Sequence, residues 1–382
     1  MKFTVQRDDF HQAVSSVQRA TATRVIQPIL SNILIETLDN GFLKLSATDL
    51  DFAIETTVAA EVQQPGRITV SAKKLAEITS KLPPKATVLF DVETAAQTAR
   101  IESGSSLFDI RTMPAEEFPM IKKIDQDSFL EVDLKSLCRA VTQTAFAAAS
   151  YETNNVLGGV YFQLTPDNLE MAATDGSRLA RRLETVPIDK ANQKTSQIKE
   201  DVAAIIPVKA LQEFVKLASY KDGANDETVR IAIQDGQISL RTSRFYVLSR
   251  LLDGQYPKYQ QLIPNENKIV AYANKQAMID SLERAAVMAN ERTNVVKLSL
   301  NKNNMSLAAQ TPDLGDSKDT IDIRYDGEPL SIAFNYKYLL DALRVIESDD
   351  VRMETNGALA PTLFKSGEEN SYLCLVMPVQ VK

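Results

Sequence analysis

Along this chain, short stretches in which apolar and polar residues alternate give way to stretches in which apolar residues recur every three or four positions. The pattern is clearest at 129–150, FLEVDLKSLCRAVTQTAFAAAS. Phe129-Leu130-Glu131-Val132 reads as a strand and Asp133 as a helix N-cap; Leu134, Leu137, Val141, Ala145 and Ala148 form the buried stripe of an amphipathic helix. The same order occurs near the start, where Phe3-Thr4-Val5 leads through Asp8 and Asp9 into Phe10, Ala13, Val14 and Val17. It occurs again where Ile269-Val270-Ala271-Tyr272 leads through Asn274 into Met278, Leu282, Ala285 and Met288.

A second strand-helix unit follows each of these. Ile68-Thr69-Val70-Ser71 opens a helix with Leu75, Ile78 and Leu82; Ala204-Ile205-Ile206-Pro207 opens one with Leu211, Phe214, Val215 and Ala218; Ile332-Ala333-Phe334-Asn335 opens one with Leu339, Leu340, Leu343 and Ile346. Ser71 and Asn335 are expected caps, and Pro207 suits a first helical turn. The starts lie roughly 130 residues apart, about one domain length, which predicts three similar α+β domains. Extended links at 111–119 and 249–257, each ending in an aromatic-proline pair, set the domains at 1–122, 129–252 and 253–382. Between the units, Asn40-Gly41 predicts a hairpin, 189–201 a polar loop and 311–318 a longer polar turn.

A chain of 382 residues, 44% hydrophobic and 24% charged, is long enough for several cores. No apolar run approaches the roughly 18 residues that span a bilayer, and the first residues lack the layout of a secretory signal, so a cytoplasmic location is expected. The two cysteines, Cys138 and Cys374, share no metal or redox spacing and read as reduced core residues. With one histidine, His11, two-histidine mechanisms are excluded. The net charge is −7. Its distribution is uneven: the six helical segments carry roughly +6, leaving about −13 on strands and loops. Helices sharing one surface would present it to phosphate while the rest repels it.

Candidate chemistry is sparse. Ala173-Thr174-Asp175-Gly176-Ser177-Arg178-Leu179-Ala180 is the most distinctive string, and Thr48-Asp49 opens a related turn in the first domain. No strand leads into a phosphate-binding glycine loop, and the carboxylate pairs Asp49/Asp51 and Glu116/Glu117 read as solvated loop groups. No catalytic set, metal site or cofactor is expected.

ATDGSRLA brings a resemblance into view, together with MKFTV at the start, PILSNILIE at 28–36, SATDLDFAIE at 46–55, DGQYPKYQQLIP at 253–264, FNYKYLLDAL at 334–343 and LVMPV near the end. Over essentially its full length the chain resembles the bacterial β sliding clamps, the processivity subunits of the replicative DNA polymerase. The resemblance implies three DNA-clamp domains, each of two strand-helix-strand units, and a homodimeric ring with helices lining the inside and sheets the outside. Double-stranded DNA would be held through phosphates without base reading. By the same resemblance Arg24, Tyr151 and Lys209 match DNA-contacting positions, and the helix charges Lys73 and Lys74 join them.

The resemblance further implies an apolar pocket for short peptides of the polymerase alpha subunit, the clamp loader complex and other proteins carrying clamp-binding motifs. Its matching positions are Leu157, Thr174, Gly176, Ser177, Arg178, Leu179, Pro257, Leu262, Leu375, Val376, Met377 and Pro378. A dimer seam is implied in which an edge strand of the first domain meets one of the third around Phe108, Ile110, Val287 and Met288. The alternatives are a small-molecule enzyme with a cleft at Thr174–Arg178, in which Asp175, Ser177 and Arg178 would act without a nearby base, and a peptide-binding scaffold that never meets DNA.

Overall fold

The computed structural model describes residues 1–22, 27–93, 95–124, 129–150, 156–165, 167–185, 201–220, 227–367 and 369–380. Six helices form on the apolar spacing, α1 Arg7–Gln18, α2 Ala72–Lys81, α3 Leu134–Thr144, α4 Val208–Ala218, α5 Lys275–Ala286 and α6 Tyr336–Arg344, but α3 and α5 end sooner than expected: Ala145–Ala147 tighten into a 3-10 turn, and Ala148 and Met288 lie beyond the helices. Three of the expected caps bond as capping requires. Ser71 Oγ accepts from the Lys74 amide, Asn274 Oδ1 from Ala277 and Asn335 Oδ1 from Lys337. Two starts differ. Helix α1 begins at Arg7 after an uncapped Gln6, so Asp8 and Asp9 sit in its first turn, where carboxylates favour the helix dipole. Pro207 ends the preceding strand, and α4 begins one residue later.

Among the described residues the strands form two twelve-stranded sheets. The first runs, edge to edge, through Lys2–Gln6, Thr87–Glu93, Thr98–Ser103, Ser106–Met113, Arg67–Ser71, Asn32–Leu38, Phe42–Thr48 and Phe52–Gln64, then Phe245–Arg250, Gln237–Arg241, Thr228–Gln234 and Leu130–Asp133. Lys2–Gln6 also pairs with Phe52–Gln64, so its first eight strands close on themselves. Phe3, Phe10 and Phe90 are fully buried between strand and helix, with Phe3 and Phe90 stacked at 5.0 Å. Each contributes about 1.5–3 kcal/mol of burial.

The second sheet runs through Val202–Pro207, Gly159–Leu164, Asn168–Thr174, Arg178–Thr185, Tyr372–Val376, Thr362–Ser366, Asp350–Thr355, Ile269–Asn274, Gly315–Arg324, Asn304–Thr311, Val295–Asn301 and Leu330–Asn335. Segment 311–318 is therefore a tight turn at 312–314 flanked by strand, because Gly315, at φ +125°, returns the chain at once into the pairing Thr311↔Gly315. The expected loop at 189–201 lies almost wholly outside the described residues.

The described residues form two compact units, 1–134 with 213–251 and 135–185 with 201–212 and 252–380. The repeat in the chain counts three, whereas the sheets count two. The middle third gives four strands to each sheet, and the antiparallel pairs Ala53↔Leu248 and Leu179↔Leu375 carry hydrogen bonding across the boundaries read from the sequence. Among the described residues no helix is long and apolar enough to cross a membrane.

Candidate functional site

The turn from Thr174 to Arg178 is held by its own polar groups. Thr174 Oγ1 donates to the Arg178 carbonyl at 2.6 Å and accepts from the Gly176 amide at 3.1 Å. Asp175 Oδ1 accepts from the amides of Ser177 and Arg178, at 2.9 and 3.1 Å. Gly176 stands at φ +89°, the left-handed region that a glycine enters without penalty. Arg178 ties the turn to the rest of the unit. Its guanidinium donates to Asp175, to Asp341 at 2.6 Å and to the Phe146 carbonyl at 2.7 Å, and lies 4.4 Å from the Tyr338 ring centroid.

This bonding disposes of the enzyme cleft. Asp175 and Arg178 neutralise each other and bind backbone, so neither is left to act as a base or an electrophile, while Ser177 is exposed on the turn and no hydrogen bond joins its hydroxyl to a base among the described residues.

What the turn does carry is an apolar floor. Leu179 and Leu375 face each other across two strands, and Met377 continues that pairing by donating to the Ser177 carbonyl at 2.9 Å. Leu179, Leu375 and Tyr259 are buried in one cluster with Ala172, Leu363 and Leu373, and Tyr161, Tyr256 and Ile263 pack against it. The Thr174 amide donates to the Tyr256 hydroxyl at 3.1 Å, which fixes the 253–264 segment beside the turn. Burial pushes the Tyr256 hydroxyl up to about 12, and it raises Tyr259 further, helped by the hydrogen bond that Tyr259 donates to Glu170 at 2.6 Å. Both rings stay neutral at physiological pH and offer apolar faces.

Of the remaining expected positions, Leu262 is 55% and Met377 40% exposed, Pro257 is exposed, and Leu157 and Pro378 are half-buried. Val376 is fully buried, so it supports the floor from within the strand. The structure thus brings together the turn, the 256–262 segment and the C-terminal strand. It adds Tyr256 and Tyr259, whose signal was the tyrosine pair in QYPKY, and Asp341, Phe146 and Tyr338, which gave none because they lie far off in sequence.

Among the DNA-facing candidates, Arg24 and Tyr151 lie outside the described residues. Lys73 and Lys74 are exposed in the first turn of α2, with Lys74 bonded to Glu77 at 2.9 Å. A helix dipole disfavours cations at that end, and for Lys74 the i,i+3 pair with Glu77 offsets this. Lys209 is half-buried in the first turn of α4.

Among the described residues, two strands near the expected seam positions are paired along only part of one side. Ser106–Met113 bonds to Thr98–Ser103 along one side, but on the other only Thr112 and Met113 have partners, leaving the edge beside Phe108 and Ile110 unpaired. Gly315–Arg324 is likewise paired on its second side only at Ile323 and Arg324. Val287 and Met288 are not on a strand, as the edge-pairing expectation has them. They follow the last turn of α5, because the helical hydrogen bonding runs on through Val287. That end of α5 adjoins the open strand, with Ser317 Oγ donating to the Ala285 carbonyl and Arg284 paired with Asp319. Val287 is 76% exposed.

Comparison with known proteins gives one consistent result. Models of the DNA polymerase III beta subunit match in order: its N-terminal domain over residues 1–122, central domain over 131–258 and C-terminal domain over 260–380. The chain is 33% identical over 387 residues to the beta sliding clamp of Synechococcus elongatus and 32% over 391 residues to that of Bacillus subtilis, each match covering both chains in full. Among solved structures it resembles the Pseudomonas aeruginosa DnaN sliding clamp bound to griselimycin, with TM-score 0.88 and 28% identity. It also resembles the Bartonella birtlesii clamp bound to the same compound, with TM-score 0.87 and 31% identity; each covers both chains entirely.

Proposed function

The chain belongs to the DNA polymerase III beta subunit family, the sliding clamps, and from that premise we propose that two copies close head to tail into a ring around duplex DNA. It is a non-catalytic processivity subunit that tethers the replicative polymerase through its alpha subunit. The ring is loaded by the clamp loader complex and offers its apolar groove to further proteins with clamp-binding motifs. The observation that carries this reading is the ordered match of all three domain models of one family along the whole chain. A role on the chromosome assigns the protein to the cytoplasm.

The residues take their parts from the physics already described. Helices carrying Lys73, Lys74 and Lys209, with Arg24 and Tyr151, face the phosphates; a ring holds DNA by topology, so contacts too weak to slow sliding suffice. The groove from Leu157, Thr174–Leu179, Pro257, Leu262 and 375–378 takes apolar side chains of an extended peptide. The open edges at Phe108 and Ile110 and beside Val287 and Met288 satisfy each other across the dimer.

The test is retention on DNA. Loaded protein should stay on a closed circular duplex and be lost when the circle is cut once. Equal escape from circular and linear DNA would sink the ring.

A further inference from the structure

Helix α1 is tied to α4 at its far end, where Arg19, the residue after α1, pairs with Glu213 at 3.0 Å. Nearer the start of α1 lies a cleft of about 340 Å³. One wall is the α1 face that carries Asp9, Gln12 and Ser16; across from it stand Leu217 and Tyr220, at the end of α4. Phe42, 38% exposed, and Ala59, its exposed partner in the strand ladder, complete the lining from the sheet.

The polar groups of the α1 wall are unspent. The side chains of Asp9, Gln12 and Ser16 make no ion pair and no hydrogen bond among the described residues. Ser16 is 3% exposed, so it offers its hydroxyl to the cleft rather than to open solvent. Arg244, the cation on the lining, is by contrast already held by the Tyr220 carbonyl at 2.9 Å. The helix dipole accounts for a carboxylate at Asp9, but not for Gln12 and a buried Ser16 left unbonded beside it, nor for an exposed phenylalanine on the same cleft. Asp9 and Gln12 are neighbours at i,i+3 and Gln12 and Ser16 at i,i+4, so a carboxylate, an amide carbonyl and a hydroxyl oxygen follow one another along one helix face. All three accept hydrogen bonds, and an ammonium carries three donors and no acceptor. Phe42, Leu217 and Tyr220 add apolar surface and two aromatic rings, whose faces attract a cation.

We propose that this cleft binds a small primary amine with a flat apolar body, its ammonium held by Asp9, Gln12 and Ser16 and its body laid against Phe42, Leu217 and Tyr220. A volume of about 340 Å³ stands at the lower end of the range for small-molecule sites. A nucleotide fits less well, because the α1 wall meets its phosphates with a carboxylate. The site goes beyond the clamp reading and shares no residue with the groove at Thr174–Leu179 or with the dimer seam.

The test uses the full-length protein and two fluorescent probes with the same flat body: dansylcadaverine, which ends in an amine, and dansyl-aminocaproate, which ends in a carboxylate. Binding is read from the rise and blue shift of dansyl emission on titration. Dansylcadaverine should saturate the protein and bind about tenfold more tightly than the carboxylate, and Asp9→Asn should abolish that preference. Ala59→Trp, which places a large side chain on the lining at an exposed strand position, should weaken dansylcadaverine at least tenfold. Both changes are at exposed positions, and a thermal melt checks that the variants fold. Equal binding of the two probes, or binding unchanged in Asp9→Asn or in Ala59→Trp, overturns the proposal. So does binding abolished by Met377→Asp, which belongs to the other groove, or no saturation at millimolar dansylcadaverine. Loss of DNA retention, by contrast, bears on the clamp reading alone.

Discussion

Arg178 is the residue that ties the turn at Thr174–Arg178 to the surrounding packing, and its removal can be worked through. Its side chain is 10% exposed and donates to Asp175, Asp341 and the Phe146 carbonyl while stacking on Tyr338. Arg178→Ala removes all of these at once. Charge-assisted bonds to Asp175 and to the carbonyl contribute about 1.5 kcal/mol each at the lower end of their range. The bond to Asp341 adds little, because that carboxylate is 39% exposed and water replaces the guanidinium. Lost stacking adds about 0.5 kcal/mol, giving a total of about 3.5 kcal/mol. Local opening of the turn should then be roughly 400-fold more frequent. Hydrogen exchange reads this directly in the Met377 amide, which bonds to the Ser177 carbonyl, and in the amides of 176–178. Arg178→Lys should recover only part of the protection, since an ammonium cannot reach three acceptors from one plane. Unchanged exchange in Arg178→Ala, or complete recovery with lysine, would refute the assignment of the turn's rigidity to this side chain.

Val287→Asp places a charge on a side chain already 76% exposed, so folding should be unaffected while sedimentation shows the dimer falling to the 42.3 kDa single chain; a persistent dimer removes Val287 from the seam. Lys73→Glu with Lys74→Glu should shorten retention on circular DNA and reduce the salt dependence of binding by up to about 2 in log–log slope, one phosphate for each lysine. Unaltered retention would exclude α2 from the DNA-facing surface. Burial, seconded by Arg7, lowers the His11 pKa below 6.5, so the folded state disfavours the imidazolium. The associated stability is intact above that value and declines as pH falls from 6.5 toward the folded pKa; His11→Gln should flatten urea midpoints across that window, and parallel profiles would contradict it. Burial also pushes the Cys374 thiol up to about 12, whereas Cys138 is half-buried. Iodoacetamide near pH 8 should therefore label only Cys138 in the native protein and both cysteines after unfolding, and native labelling of Cys374 would contradict its burial.

Apolar spacing alone located all six helices, and Ser71, Asn274 and Asn335 announced three of their starts, because periodicity and capping are contracts between residues a few positions apart. The turn at Thr174–Arg178 was equally legible, since its hydrogen bonds join neighbours. The peptide-groove positions came from resemblance to a family, and periodicity by itself would not have singled them out. Tertiary structure decided the rest. Only strand pairing seats Leu179 against Leu375, almost two hundred positions away. Only the packing of α6 gives Arg178 its Asp341 and Tyr338, and only ladder closure leaves the flank of Phe108 without partners. Each of these contacts joins residues far apart in the chain, which no pattern a few positions wide encodes.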